Sequence, residues 1–322
     1  MKKADLVIFE DGRPHQANSV RTVPASVLIA MDTGGEIRQK KSIATTRLAA
    51  ENLVSSLRDA TTIALMQFHD RVEFLSDWST DRKELLQIIG SRTGFGRRSS
   101  LSGAVTSAVD YFANAPSENR HLILITDGLD TPEDKESRSQ AVRRLWESGI
   151  IVHVISYTQI EYEALKPMTK IWRDGEENPK RMPDEVMESL ACAIPVRKIL
   201  AKDVLRQIYQ PRLFSVLIDI PFIKNRREHL RSLATSQLQL SVLASYTGGE
   251  LLLPGSLAEI VDQAANVSHI INSQYVLAYS LKRPLRETSA DEIRQIDVSS
   301  RRPDLTVRAS RRLVVFAREQ PK

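Results

Sequence analysis

Apolar runs alternate with amphipathic stretches through the first half of the chain. Four short, largely apolar runs are typical of strands buried on both faces: residues 27–31, 63–68, 122–125 and 150–155. Between them, apolar residues recur at helical spacing, most clearly in the segment that begins near Ser100. Strands that alternate with helices need crossover connections. The pattern therefore predicts an α/β fold with a doubly wound, mainly parallel sheet and helices on both faces.

Two segments depart from this alternation. Residues 72–80 follow the second apolar run after only a short turn, which predicts one antiparallel edge strand reached by a hairpin. Residues 159–197 contain four prolines among mixed charges and predict a long excursion from the sheet.

The rest of the chain returns to regular patterns. Helices are predicted over about 196–208, 225–246 and 257–271, and strands near 6–9, 249–253, 274–281, 293–298 and 313–316. We expect three parts: an N-terminal strand segment over 1–24, a main domain over 25–281 with an insertion at about 159–240, and a C-terminal strand extension over 282–322.

Composition narrows the classes of function. Of the 322 residues, 42% are hydrophobic and 26% charged, as in a soluble globular protein. The net charge is +5, but acidic residues separate the arginine clusters, which favours a solvated surface over a nucleic-acid groove. No apolar run approaches the roughly 20 residues of a membrane span. The single cysteine, Cys192, excludes an internal disulfide.

Two predicted strands end in an aspartate. Asp32 follows the first apolar run and Asp127 the third, so both carboxylates should lie at the edge of the sheet where ligands bind in open parallel sheets. A third loop, residues 93–100, leads into the clearest helix and offers hydroxyls and unpaired backbone N–H groups. Carboxylates and hydroxyls together suit a hard cation such as Mg²⁺.

The runs VLIAMDTGGEI, RRSSLSGAV and LILITDGLD resemble the three metal-site loops of the von Willebrand factor A (vWA) domain, in the same order and spacing. DLVIFEDGRPHQ, TGGELLLPGSLAEI and QYVLAYSL are similar to the bacterial VWFA-related group, abundant in acidobacteria. The resemblance extends over the chain except for the excursion and the last forty or so residues.

The resemblance implies a metal-ion-dependent adhesion site, in which a D-x-S-x-S loop, a threonine and a distal aspartate hold one divalent ion. Carried over, Asp32 matches the first aspartate, Ser99 the threonine, and Asp127 the distal aspartate, with Ser100 and Asp130 as second choices. Gly34 and Glu36 stand at the two serine positions, so Glu36 would supply a carboxylate in place of a hydroxyl.

Two alternatives stay open for this altered site. In the first, Asp32, Glu36, Ser99 and Asp127 hold Mg²⁺ or another divalent cation. In the second, Arg97 or Arg98 neutralises the aspartates instead of an ion. Taken singly, Glu36 and Asp130 also fit solvated loop residues.

A protein-binding domain is the function we expect, with a rim of Thr33, Gly34, Arg97, Arg98 and Asp130 that meets an acidic side chain of a partner. A scaffold with an inert rim would bind through the excursion or the C-terminal strands instead. A hydrolase or nucleotide-binding enzyme is disfavoured, because neither a G-x-S-x-G elbow nor a complete G-x-G-x-x-G fingerprint is present. The family resemblance implies a location outside the cytoplasm.

Overall fold

A computed structural model describes residues 5–35, 43–130, 134–166, 220–281, 292–303, 307 and 312–315. The predicted helix over 196–208 and Glu36 lie outside these residues. The chain forms two compact units, one of residues 1–161 with 235–322 and one of residues 162–234. The second unit falls inside the insertion predicted over about 159–240.

Twelve strands and seven helices are named here in chain order within the described ranges. The strands are β1 (Leu6–Glu10), β2 (Arg13–His15), β3 (Ala17–Arg21), β4 (Ala25–Asp32), β5 (Thr62–Phe68), β6 (Val72–Ser79), β7 (Asn119–Thr126), β8 (Ile151–Ser156), β9 (Leu251–Leu252), β10 (Val276–Tyr279), β11 (Glu292–Ser300) and β12 (Arg312–Val315). The helices are α1 (Ile43–Ser56), α2 (Arg82–Arg92), α3 (Leu101–Tyr111), α4 (Lys135–Glu147), α5 (Thr158–Leu165), α6 (Ile220–Thr247) and α7 (Leu257–Asn272).

The central sheet has six strands in the order β6-β5-β4-β7-β8-β9. Every neighbouring pair is parallel except β5 with β6, which are antiparallel. All eight residues of β4 are buried, because β4 has a strand on each side and helices above and below it. The predicted doubly wound sheet with one antiparallel edge strand is confirmed.

Helices cover both faces of this sheet. One face packs against α1, α2 and α7, through residues such as Leu53, Ile89 and Val267. The other packs against α3, α4 and the C-terminal part of α6, through residues such as Val105, Leu145 and Leu240. Alternate residues of each strand point to opposite faces, so near-continuous apolar runs fill both layers.

Two smaller sheets join the N-terminal strands to late strands of the chain. One has the order β12-β11-β1-β2, and the other pairs β10 with β3. The strand predicted over residues 274–281 is present as β10, and it pairs antiparallel with β3. Strand pairing between residues more than 250 positions apart depends on tertiary structure, which the local pattern does not contain.

The order of the central sheet reverses between β4 and β7. From β4 the chain proceeds outward to β5 and β6, then returns to the opposite side of β4 to form β7, β8 and β9. Such a reversal leaves a crevice at the carboxyl ends of the two middle strands, where open α/β sheets bind ligands. A ligand site in this sheet is therefore expected at the carboxyl ends of β4 and β7.

Candidate functional site

Asp32 and Asp127 lie at this reversal point. Asp32 is the last residue of β4, and Asp127 directly follows β7, whose Ile125 pairs with Met31. The Thr126 hydroxyl donates a 2.7 Å hydrogen bond to Asp32 Oδ2. The two strand-end aspartates thus occur at one edge of the sheet, as predicted.

Both carboxylates are fully buried. Asp32 Oδ1 accepts the backbone N–H of Gly34 at 3.1 Å, and Asp127 Oδ1 accepts that of Leu129 at 3.1 Å. Burial raises the pKa of the nearby Tyr157 phenol above its usual value. A 2.7 Å hydrogen bond with Thr46 opposes that rise, and the negative charges of Asp32 and Asp127 add to it. Both aspartates therefore act electrostatically on the same buried phenol at this end of the sheet.

The loop after Asp32 is joined to the third predicted loop by backbone hydrogen bonds. Gly35 N–H donates to Gly96 O at 3.1 Å, and Gly96 N–H donates to Thr33 O at 3.2 Å. A Cβ on Gly34 would lie 1.7 Å from the Arg98 carbonyl oxygen, and one on Gly96 would lie 2.5 Å from His69 Cβ. Glycine is therefore required at both positions for this close approach.

Two buried hydroxyls at this edge lack a hydrogen-bond partner among the described residues. Ser99 and Thr33 are each 1% exposed. Neither Ser99 Oγ nor Thr33 Oγ1 has a hydrogen-bond partner among the described residues. Ser99 Cα lies 3.1 Å from the Cβ position of Gly34, which places it beside the Asp32 loop. Since buried polar atoms are normally satisfied, an orphaned hydroxyl beside the loop of a buried carboxylate is the kind of atom that a bound ligand would satisfy.

The side chain of Asp130 is 1% exposed and makes structural hydrogen bonds, which corrects its interpretation as a solvated loop residue. Its Oδ1 accepts the backbone N–H groups of Leu101 and Ser102, and its Oδ2 accepts the Ser102 hydroxyl at 3.0 Å. Asp130 thereby caps the N-terminus of α3, a role that the preceding Ser100 side chain does not perform. The cap links the Asp127 loop to the loop that carries Ser99.

Arg97 and Arg98 are exposed, unlike the aspartates that one of them would neutralise in the second alternative. Their backbone N–H groups donate to the two carboxylate oxygens of Asp70, at 2.9 and 3.2 Å. The bond from Arg97 is the main cause of a lowered pKa of the Asp70 carboxyl. Asp70 lies in the turn between β5 and β6, and sequence reasoning missed it because its role depends on how two loops pack.

The described residues contain no group of three or more His, Cys, Asp or Glu side chains that could hold a metal ion. Glu36, the predicted third carboxylate, lies outside them. The oxygen atoms gathered at the reversal point therefore come from two carboxylates, from hydroxyls and from the backbone. We call Asp32, Ser99, Asp127 and the Arg98 carbonyl the oxygen cluster.

Residues 27–129 match the family model of the von Willebrand factor type A domain. This segment is roughly a third of the chain, and it runs from within β4 to just past β7 with all members of the oxygen cluster. No curated protein matches the chain.

Three solved structures illustrate the likeness in fold. A von Willebrand factor type A protein from Catenulispora acidiphila is 12% identical with a TM-score of 0.47, and covers 84% of this chain, which spans 50% of that one. An aerotolerance-related membrane protein from Bacteroides fragilis is 13% identical with a TM-score of 0.41, covering 78% and 100%. Manganese-loaded TRAP protein from Plasmodium vivax is 12% identical with a TM-score of 0.41, covering 97% of both chains.

Proposed function

We propose that the rim at the carboxyl ends of β4 and β7 binds a partner protein, and that a divalent cation held by the oxygen cluster takes part in that binding. The observation that supports the proposal most is the orphaned Ser99 hydroxyl, buried beside the loop of a buried carboxylate. Buried polar atoms are normally satisfied, and a cation is one ligand that would satisfy this hydroxyl.

The donor set fits a hard cation. Asp32 and Asp127 supply carboxylates and Ser99 a hydroxyl, and oxygen ligands of this kind suit Mg²⁺, Mn²⁺ and Ca²⁺. When bound, the cation supplies positive charge that attracts a carboxylate of the partner. Asp130 and Asp70 act as positioning residues, since they fix the two loops around the cluster through backbone N–H groups.

The surface next to the cluster fits an acidic partner that also carries an apolar side chain. Phe95 is 53% exposed, and Arg97 and Arg98 follow it as exposed residues on the same loop. The backbone bonds of Gly96 hold this loop in place. An exposed aromatic beside two guanidinium groups is a typical anchor for an acidic segment.

Isothermal titration with Mg²⁺, Mn²⁺ and Ca²⁺ tests the cation. We expect saturable heat from the wild type and none from Asp127→Asn, whose amide oxygen can still accept the Leu129 N–H and preserve the loop. Asp262→Asn, at an exposed position of α7, is the matched control and should bind as the wild type does. Absence of heat from the wild type with all three ions would remove the cation from the proposal.

Selection of displayed random peptides against the protein tests the partner. We expect Asp and Glu to be enriched with aromatic or aliphatic residues, and binding to fall on chelation and in Phe95→Ala. Peptides that bind equally well to Phe95→Ala and after chelation would place recognition elsewhere, as in the inert-scaffold alternative. Within the described ranges, every helix is too short or too polar to span a bilayer.

A location outside the cytoplasm stays a prediction, which cell fractionation would check.

A further inference from the structure

A backbone oxygen fills the space in which a side chain at position 34 would begin. At position 34 the family resemblance calls for serine, and this chain has glycine. A Cβ built on Gly34 would lie 1.7 Å from the Arg98 carbonyl oxygen, so the carbonyl and a side chain at this position exclude each other. The space next to Gly34 is thus filled by an oxygen from the neighbouring loop.

This carbonyl is a free acceptor within the described part of the chain. Two neighbouring carbonyls accept hydrogen bonds: Gly96 O accepts the Gly35 N–H, and Thr33 O accepts the Gly96 N–H. The Arg98 carbonyl oxygen, in contrast, accepts no hydrogen bond from the described residues. Its position is fixed from the other side, because the Arg98 N–H donates to Asp70 Oδ1 at 3.2 Å. Ser99, with its orphaned hydroxyl, is the next residue.

We infer that the Arg98 carbonyl oxygen is a cation ligand that replaces the missing serine hydroxyl, and that it makes the oxygen cluster selective for Ca²⁺ over Mg²⁺. The inference depends on the proposed function, since it concerns the same cluster. Ca²⁺ accepts backbone carbonyls in irregular shells of six to eight oxygens, whereas Mg²⁺ demands near-octahedral geometry and keeps several waters. Two carboxylates, a hydroxyl and a carbonyl from three separate loops form the looser kind of site.

Gly34→Ala and Gly34→Ser form a matched pair that tests this ligand. Both add the Cβ that must displace the Arg98 carbonyl, and they differ only in the hydroxyl that serine returns. Binding of CaCl₂ and MgCl₂ is measured by isothermal titration, and unfolding temperature without added cation reports any structural damage that the Cβ causes in both variants.

The wild type should bind Ca²⁺ at least roughly tenfold more tightly than Mg²⁺. Gly34→Ala should lose Ca²⁺ affinity by about tenfold or more, and Gly34→Ser should recover binding with a smaller ratio of Ca²⁺ to Mg²⁺ affinity. If neither variant folds, the ratio of Ca²⁺ to Mg²⁺ affinity in the wild type tests the inference on its own.

Equal or tighter binding of Mg²⁺ by the wild type would overturn the carbonyl ligand while leaving the proposed function intact. Unchanged Ca²⁺ affinity in a folded Gly34→Ala would also overturn it. No binding of either ion by the wild type would instead contradict the cation part of the proposed function itself.

Discussion

Two buried histidines form a polar chain within the apolar core. His121 of β7 and His153 of β8 are fully buried and stacked, with His121 Nδ1 3.3 Å from His153 Nε2. His121 Nε2 lies 2.9 Å from Asn119 Oδ1, an acceptor, so this nitrogen carries the proton and donates. His121 Nδ1 then accepts from His153 Nε2–H, which leaves His153 Nδ1 unprotonated, and that atom has no partner among the described residues. Both rings are therefore neutral.

Protonation of this pair should make the protein sensitive to acid. Burial lowers the pKa of His121 to about 3 and that of His153 to about 4. An unfolded histidine has a pKa near 6.5, so the unfolded state binds more protons at mildly acid pH. The free energy of unfolding should fall by on the order of 2 kcal/mol per histidine between pH 7 and pH 5.

Urea unfolding at several pH values checks this, with the double variant His121→Val/His153→Val expected to show a much shallower pH dependence. His269→Gln, at an exposed position of α7, is the control and should retain the wild-type slope. A double variant as acid-sensitive as the wild type would disprove the assignment.

At the scale of single residues, the sequence predicted those side chains whose position follows from strand ends. Asp32 and Asp127 could be found because parallel strands end at one edge. Asp70 and Thr126 could not, since their contacts depend on loop packing and on the side-chain direction at the last residue of β7. The free Arg98 carbonyl has no sequence signal beyond the glycine at position 34.

At the scale of elements, α3 connects helix capping with the oxygen cluster. Asp130 caps α3 from another loop, and Ser99 lies two residues before the helix begins. Asp134 caps α4 from its own sequence through the N–H groups of Glu136 and Ser137, and its side chain is exposed. Both aspartates accept backbone N–H groups at a helix N-terminus. Only Asp130 also holds the loop that carries Ser99 of the oxygen cluster.

Asp130→Ala and Asp134→Ala should each destabilise the protein by about 1 kcal/mol for the lost cap. The total loss in the free energy of unfolding should be larger for Asp130→Ala. The buried Asp130 carboxylate accepts three hydrogen bonds and lies 3.6 Å from Arg138, and these contacts are lost together with the cap. Only Asp130→Ala should also weaken cation binding. Urea unfolding and calcium titration measure the two effects, and equal cation affinity in both variants would show that the cap does not support the cluster.

Hydrophobic periodicity predicted most helices and strands of the central domain. The elements that it did not predict have weak patterns of buried and exposed residues. Helix α2 was not singled out, because its buried residues are limited to Leu85 and Ile89 and its start depends on the Asp81 cap. Strand β3 alternates poorly, with no residue buried. The position of β3 depends on its pairing with β10, and the local sequence pattern carries no information about that pairing.

At the scale of the whole molecule, a buried ion pair joins residues that are far apart along the chain. Arg294 of β11 is fully buried and donates at 2.6 Å to Glu10 of β1, which is 4% exposed. His15 Nε2 lies 3.3 Å from the other oxygen of Glu10. Because β1 and β11 are neighbours in one sheet, this pair secures the early strands to the late ones.

Removing only one member of this ion pair should destabilise the protein strongly. Arg294→Met leaves Glu10 buried without its cation, and we expect a loss of roughly 3–5 kcal/mol in the free energy of unfolding. The double variant Glu10→Leu/Arg294→Met should regain most of that loss, because it removes both charges. Urea unfolding of the three proteins provides the comparison. A double variant less stable than Arg294→Met would mean that the charges themselves are not what matters.

The central claim is that the rim at the reversal of the sheet binds a divalent cation through the oxygen cluster. A crystal structure from protein grown with Mn²⁺, with data collected at the manganese absorption edge, tests it most directly. The account predicts one anomalous peak among Asp32, Asp127, Ser99 and the Arg98 carbonyl, absent in crystals of Asp127→Asn. A well-ordered rim that shows no anomalous peak, or one with the guanidinium of Arg97 or Arg98 between the two aspartates, would contradict it.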